Sequence, residues 1–187
     1  MVPAKAGTQA VFETLTSCFG SQQSLGPRLR GDNRNVGMAV KLERRIGIQA
    51  PDEIVWEILS DIPGWASWAP MYPRAEGEIR IGNRWTVDIL LPGEAVRTIN
   101  PVILDWAPYD HIHWRLDTLR GWVRTVRYLE IEKMGPENVI FSNGEFYDGL
   151  LGTWTARRQR RQLVEAFETM NEVLKHRAER LWQARKS

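Results

Sequence analysis

The sequence predicts an α+β fold in which one antiparallel sheet of seven strands curls around a long C-terminal helix. Three observations support this prediction. Apolar and polar residues alternate in seven short segments between residues 40 and 147, which is typical of half-buried strands. The connections between the last six segments contain glycine or proline and no helix, so neighbouring strands are expected to pair as hairpins. A continuous apolar stripe then runs through residues 153–182.

The first strand is followed by two short helices. Val40, Leu42, Ile46 and Ile48 fall on one parity and charged residues on the other, which predicts a half-buried strand. The next stretch, APDEIVWEILSD, has a proline and two acids at its start and an amphipathic pattern, so it is expected to form a helix. In SDIPGWASWAP the prolines break regular structure and the two tryptophans lie three apart, which predicts a short helical plug over an apolar surface.

Six further strands complete the predicted sheet, at residues 73–80, 83–91, 95–106, 111–117, 121–132 and 138–147. Asp88 and Arg97 fall on neighbouring strands of this set, where we expect a surface ion pair across the ladder.

The predicted C-terminal helix supplies the other side of the core. Its apolar residues recur at steps of three and four, and they are Leu163, Phe167, Met170, Leu174, Ala178 and Leu181. A strongly curved sheet that faces a single helix leaves a concave apolar space, and such spaces are the usual small-molecule sites.

Residues 1–37 differ in composition from the rest of the chain. They are rich in Gly, Ser, Gln, Asn and Arg without a sustained period, and they contain none of the nine tryptophans, so we expect a disordered tail. The tail resembles translated repeat sequence, which makes Met38 an alternative start. The single domain then spans residues 38–187, in which acidic and basic residues balance, so the net charge of +2 belongs to the tail and does not indicate nucleic-acid binding.

Cysteine content and hydropathy limit the class of protein. Cys18 is the only cysteine, which excludes a disulfide framework and a thiolate metal site. No apolar run approaches the roughly 18 residues of a membrane span. We therefore expect a soluble, cytoplasmic protein without a transmembrane segment.

The order of elements resembles a known superfamily. Together with SDIPGWASWAP, the HIHW strand, the GEFYDGLLG turn and the FETMNEVLKHRAE helix, it is similar to the START and birch-pollen-allergen superfamily, also called SRPBCC, over about residues 38–185. Within it, the chain looks most like the bacterial polyketide cyclase/dehydrase and lipid-transport branch. The resemblance implies a helix-grip fold with a deep apolar cavity between sheet and helix, and it implies that Trp65 and Trp68 lie near the mouth.

The primary functional hypothesis is binding of a hydrophobic or aromatic small molecule, such as a lipid, polyketide or quinone-like compound, without a cofactor. The expected ligand-binding residues are large rings, namely Trp65, Trp68, Tyr72, Trp85, Trp114, Phe141, Tyr147, Trp154 and Phe167. The alternative for each ring is that it fills the core.

Glu145 is the candidate catalytic residue for a second hypothesis, a polyketide cyclase or dehydratase. It shares strand parity with Phe141, Asn143 and Tyr147, so a cavity-facing carboxyl would lie among rings with a raised pKa suited to acid/base work. The resemblance also places a frequent glutamate here. The alternatives are an outward-facing charge and a structural hydrogen-bond acceptor.

Two other groups of residues are candidate sites. His111 and His113 share a strand face, but Ile112, Trp114 and Leu116 hold the inward parity, which puts the histidines outside without a third ligand, so no metal is expected. The long helix opens with Arg157, Arg158, Arg160 and Arg161, which favour either a solvated face or a weak contact with anionic lipid or a partner protein. A partner-binding module that presents an apolar client is the third functional hypothesis.

Overall fold

The computed structural model describes residues 39–187, and the expectations for residues 1–37 lie outside this range. The strands are β1 (Val40–Ile48), β2 (Arg74–Glu76), β3 (Thr86–Ile89), β4 (Arg97–Ile99), β5 (Val102–Ala107), β6 (His111–Thr118), β7 (Val123–Gly135) and β8 (Asn138–Asp148). The α-helices are α1 (Asp52–Ser60) and α2 (Gly152–Lys186), and two short 3₁₀ helices span Pro63–Ser67 and Leu119–Gly121. The predicted order of strands and helices is confirmed.

The strands pair as two antiparallel sheets. Five of them form a sheet in the order β1-β8-β7-β6-β5, and three form a smaller sheet in the order β2-β3-β4. The bridge between Arg84 and Val102 links the two sheets. The first strand lies beside the last, with Val40 opposite Tyr147 and Ile48 opposite Val139. The predicted α+β class, a curled antiparallel sheet with a long C-terminal helix, is confirmed.

The strand count differs from the prediction in one place. The segment predicted as a single strand at residues 95–106 is divided into β4 and β5, so the described residues hold eight strands. The division falls at Asn100 and Pro101, because proline has no backbone N–H for the ladder. The carbonyl of Pro101 instead accepts a hydrogen bond from the backbone of Trp85 at 2.9 Å.

Helix α2 covers the concave face of the five-stranded sheet through its apolar stripe. Phe167, Met170, Leu174 and Ala178 are completely buried, as the spacing predicted. A polar contact fixes the helix in register, because Asn171 accepts a hydrogen bond from the Asn143 amide of β8 at 3.0 Å and donates to a β1 carbonyl. None of the helices within residues 39–187 combines the length and apolar character needed to span a membrane.

The proline-bounded 3₁₀ helix after α1 is a core element. Trp65 is completely buried, and its indole N–H donates to the carbonyl of Leu59 at 3.0 Å. Its ring lies 5.1 Å from Tyr72, 5.8 Å from Trp85 and 6.0 Å from Trp114, measured between centroids. The segment therefore joins α1, the small sheet and the large sheet in one aromatic cluster.

Candidate ligand-binding cavity

A cavity of about 110 Å³ lies between the concave face of the large sheet, the small sheet and the first turns of α2. Its lining is mostly apolar on the side of the small sheet and polar on the side of β7 and β8. The lining residues are Met71, Tyr72, Ile89, Arg97, Ile99, Trp114, Leu116, Thr118, Val123, Thr125, Arg127, Glu145, Tyr147, Thr155, Gln159 and Leu163.

Strand register explains which side chains of the large sheet reach the cavity. Trp114 of β6 pairs with Arg127 of β7, which pairs in turn with Glu145 of β8. In the neighbouring row, Thr125 pairs with Tyr147. Directly opposed residues share a face, so these side chains all point to the concave side. The inward orientation that the sequence predicted for this part of β6 is confirmed.

Arg127 is a buried cation in this wall. Its Nε donates to the Tyr72 hydroxyl at 3.1 Å, and its Nη1 donates to the carbonyl of Gly144 at 3.0 Å. The guanidinium carbon lies 3.9 Å from the centre of the Phe167 ring, a cation–π contact in a desolvated setting. These partners hold the guanidinium at the base of the cavity in one orientation.

Glu145 lies directly beside Arg127 on the next strand and is partly buried. Removal from water raises the pKa of Glu145 above its ordinary value of 4.5, although the Arg127 charge and hydrogen bonds from Thr125 and Tyr147 act in the opposite direction. The Tyr147 hydroxyl donates to Glu145 Oε2 at 3.1 Å. Burial also raises the pKa of Tyr147 and of Tyr72, so both phenols are donors at neutral pH. The wall therefore combines a fixed cation, a protonatable carboxyl and two hydroxyl groups.

The cavity opens to solvent beside β4 and the start of α2. Arg97 and Thr118 are the exposed members of its lining. Arg97 was expected to pair with Asp88, but Asp88 accepts a hydrogen bond from Thr98 instead, because Thr98 is its direct partner in the β3–β4 ladder. Trp65 and Trp68, which the resemblance implied near the mouth, are buried and do not line the cavity.

Four of the residues proposed from the sequence line the cavity, namely Tyr72, Trp114, Glu145 and Tyr147. Their roles toward a ligand stay predictions.

The other proposed rings lie elsewhere. Trp65, Trp68, Trp85, Phe141 and Phe167 are buried outside the lining. Among them, Trp65 and Trp85 pack against each other and against Trp114. Trp154 is 58% exposed, because it lies on the outer side of α2 while its neighbour Thr155 faces inward. Its ring contacts the guanidinium of Arg158 at 5.4 Å. The four arginines at the start of α2 are exposed.

Sequence reasoning missed much of the polar lining: Arg97, Thr125, Arg127, Thr155 and Gln159. The sequence does contain an indication that Arg127 faces the interior. It shares strand parity with Val123, Thr125 and Leu129 on the buried side of β7, and an arginine on an apolar parity indicates a functional or structural cluster.

The two strand histidines lie on the opposite, convex face, as predicted. The expectation that no third ligand is near them is wrong, because β5 brings Asp105 alongside. One ligand atom from each of Asp105, His111 and His113 lies within 4.8 Å of the other two. Sequence order alone did not show this, since it depends on the β5–β6 register.

Comparisons with known proteins agree with the fold. A family model described as polyketide cyclase / dehydrase and lipid transport matches residues 39–179. None of the curated proteins matches the chain. Among solved structures, the Zhui aromatase/cyclase from Streptomyces sp. R1128 has a TM-score of 0.63 and 17% identity, over 76% of this chain and 94% of that one.

Two other solved structures show the same likeness. A START superfamily protein from Mycobacterium smegmatis has a TM-score of 0.58 and 16% identity, over 75% of this chain and 98% of that one. The di-domain ARO/CYC StfQ from the steffimycin biosynthetic pathway has a TM-score of 0.60 and 16% identity, over 76% of this chain and 51% of that one. At these identities the structures show the fold alone.

Proposed function

The chain belongs to the polyketide cyclase/dehydrase and lipid transport family, and we propose that its cavity binds an aromatic or other apolar small molecule that carries a hydroxyl or carbonyl group. The observation that supports this most strongly is the polar cluster in the cavity wall. Arg127 and Glu145 stand side by side opposite the apolar side chains of Met71, Ile89 and Ile99. A few fixed polar groups in an apolar concavity are typical of a site that orients a ligand.

The proposed ligand orientation follows from the donors and acceptors. The Arg127 guanidinium and the Tyr72 hydroxyl are donors for a carbonyl or phenolate oxygen, while Glu145 is an acceptor for a hydroxyl. A ring that extends from this oxygen toward Trp114 and Leu163 would then lie among apolar side chains. Each hydrogen bond to a charged group contributes about 1.5–3 kcal/mol when its partner is otherwise desolvated.

Calorimetric titration with two probes of one ring, p-cresol and toluene, tests this proposal. The two molecules have similar shapes and differ in a hydroxyl group, so the proposal predicts that p-cresol binds about 10-fold more tightly. Tryptophan fluorescence should change on binding, because Trp114 lines the cavity.

A matched pair of variants shows where the probe binds. Thr155 and Thr169 both lie in α2, and each hydroxyl donates to the carbonyl four residues earlier, but only Thr155 lines the cavity. Thr155→Phe should remove p-cresol binding, and Thr169→Phe should leave it unchanged. Equal affinity for p-cresol and toluene, or equal effects of the two variants, would refute binding at this site.

A second candidate function is cyclisation with loss of water, and the raised pKa of Glu145 beside Arg127 favours it. In its ionised form, Glu145 would accept a proton from a methylene between two carbonyl groups. The Arg127 cation would stabilise the enolate oxygen while the carbanion attacks a second carbonyl of the same chain. The protonated Glu145 would return this proton to the alkoxide formed at the second carbonyl, which becomes a hydroxyl. Glu145 would then accept the second proton of the same methylene carbon and pass it to the hydroxyl, which departs as water while the carbon–carbon double bond forms, so proton balance is kept without a cofactor.

Glu145→Gln separates the two functions. Glutamine keeps the shape and a carbonyl acceptor but cannot exchange a proton, so a cyclase should lose turnover of a poly-β-ketone substrate while p-cresol affinity stays within a few-fold of the wild-type value. Unchanged turnover would assign the chain to binding alone.

Two finer expectations remain predictions. The first expectation is contact with anionic lipid or a partner through Arg157, Arg158, Arg160 and Arg161. Exposed apolar side chains near these arginines support it. The Leu151 N–H donates a hydrogen bond to the Trp122 carbonyl, which places Trp122 beside the start of α2. Trp122, Leu150 and Trp154 are all exposed there. The low cysteine content favours a cytoplasmic location.

A further inference from the structure

We propose that Asp105, His111 and His113 form a binding site for a divalent transition-metal ion such as Zn²⁺. The site lies on the convex face of the large sheet, whereas Trp114 and Leu116 of the same strand face the cavity. It is therefore separate from the proposed ligand site and does not depend on the proposed function.

The backbone register places the three side chains together. Asp105 of β5 is the direct ladder partner of His113 on β6, and His111 lies two residues away on the same face. The Oδ2 of Asp105 lies 3.3 Å from the Nε2 of His111, and the two imidazole rings are stacked with centroids 4.3 Å apart. With the three ligand atoms within 4.8 Å of one another, side-chain rotation would be needed to form the roughly 2.0–2.2 Å bonds of zinc to nitrogen and carboxylate oxygen.

A buried atom without a partner points independently to a ligand. The side chain of His113 is 3% exposed, and its Nδ1 is buried without a hydrogen-bond partner. Its other ring nitrogen, Nε2, lies 3.2 Å from Oε1 of Glu130. A buried polar atom left unpaired destabilises the folded state, and a metal bond at Nδ1 would remove this cost. Glu130 would then orient the imidazole, the usual arrangement behind a metal-bound histidine.

The imidazole of His111 is also held by a carboxylate. Its Nδ1 lies 3.0 Å from Oδ2 of Asp110, which leaves Nε2 directed toward Asp105. Each imidazole is thus held by one carboxylate and has its second nitrogen available for a shared ion. Two independent carboxylate–histidine pairs beside a third carboxylate match the ligands and outer shell of a metal centre.

The charge balance also favours a cation. Three carboxylates surround the two imidazoles, and across residues 39–187 the ion-pair partners of Asp105, Asp110 and Glu130 are these histidines rather than lysine or arginine. A divalent ion would compensate this negative charge. The Asp105 side chain is 41% exposed, which gives the ion a route from solvent and leaves room for a water ligand.

The proposed ion would have a structural consequence. Strand β5 lies at the edge of the large sheet, and its pairing with β6 is irregular between Ile103 and Asp105. Ligands from both strands would fasten the edge strand across this irregularity. Two imidazoles and a carboxylate suit zinc, copper, nickel or iron better than magnesium or calcium.

Zinc titration of untagged, full-length protein after chelator treatment tests the proposal. Calorimetry should show one equivalent of Zn²⁺ bound with a dissociation constant in about the micromolar range or below, and zinc should raise the melting temperature. His111→Gln and Asp105→Asn, which change partly exposed residues, should each weaken zinc binding about 100-fold or more, and Glu130→Gln about 10- to 100-fold.

The third histidine supplies the matched control. His176 is exposed on α2, far from β6 in the chain, so His176→Gln should bind zinc like the wild type. Circular dichroism of each zinc-free variant should match the wild type, which would separate loss of the site from loss of the fold. Absence of stoichiometric zinc binding by the wild-type protein, or equal affinities in His111→Gln, Asp105→Asn and His176→Gln, would overturn the assignment and leave a hydrogen-bonded histidine cluster.

Discussion

Arg127 and Glu145 are neighbours in an otherwise apolar wall, and no ion pair between them occurs in the described residues. The guanidinium donors are directed to the Tyr72 hydroxyl and the Gly144 carbonyl, while the Glu145 carboxyl is bonded to the Tyr147 hydroxyl. A carboxylate paired with arginine would be held in its ionised form. Because Glu145 and Arg127 are not paired with each other, both groups remain available to a ligand, and the Glu145 carboxyl can exchange a proton.

The raised pKa of Glu145 has a measurable effect on stability. Its folded-state pKa lies above the ordinary value of 4.5, so the folded protein binds the proton more tightly than the unfolded chain. The wild-type protein should therefore lose stability as pH rises from 4.5 through the raised pKa. Glu145→Gln mimics the neutral form and lacks this loss, so its melting temperature relative to wild type should increase over the same interval.

Glu76→Gln provides a control with the opposite sign. The neighbouring Arg74 lowers the pKa of Glu76, so ionisation of this exposed carboxyl slightly favours the folded state as pH rises. In thermal melts at a series of pH values, the melting temperature of Glu76→Gln relative to wild type should not increase as pH rises. A pH-independent difference between Glu145→Gln and wild type would contradict a raised pKa.

At the scale of elements, alternation predicted the strands of the large sheet well because each has one buried face. The sequence did not predict which strands meet side by side. The proximity of Asp105 to His113 depends on an irregular pairing, and the division of β4 from β5 depends on Pro101. The plug around Trp65 was identified from its prolines and ring spacing, but its depth was not, since depth depends on packing against β3 and β6.

The plug should contribute strongly to stability. Trp65 is completely buried and contacts three other rings, so Trp65→Ala should lower the free energy of unfolding by about 3–5 kcal/mol. Trp122 is 56% exposed, and Trp122→Ala should change the free energy of unfolding by about 0.5 kcal/mol or less. Urea denaturation measures both. Similar values for the two variants would show that the plug is not part of the core.

At the scale of the whole molecule, the large sheet separates two kinds of site by side-chain parity alone. Even-numbered residues of β6 face the cavity, and the odd-numbered His111 and His113 face the convex side. The cavity is closed below by the α2 stripe, and its volume of about 110 Å³ is smaller than the roughly 150 Å³ of an engineered cavity that holds benzene. One ring fits with little spare volume, so a ligand of several rings requires the small sheet or α2 to move outward.

This volume predicts selectivity for ring number, and one leucine of α2 should control it. Leu163 and Leu174 both belong to the buried stripe, but only Leu163 lines the cavity. Leu163→Ala should raise the affinity for 2-naphthol relative to p-cresol about 10-fold, whereas Leu174→Ala should leave that ratio unchanged. Both truncations should cost about 2–5 kcal/mol of stability, so titrations belong at a temperature where circular dichroism shows both variants folded. Tighter binding of 2-naphthol than of p-cresol by the wild-type protein would contradict this prediction, because it would show that the cavity widens readily and that α2 does not limit its size.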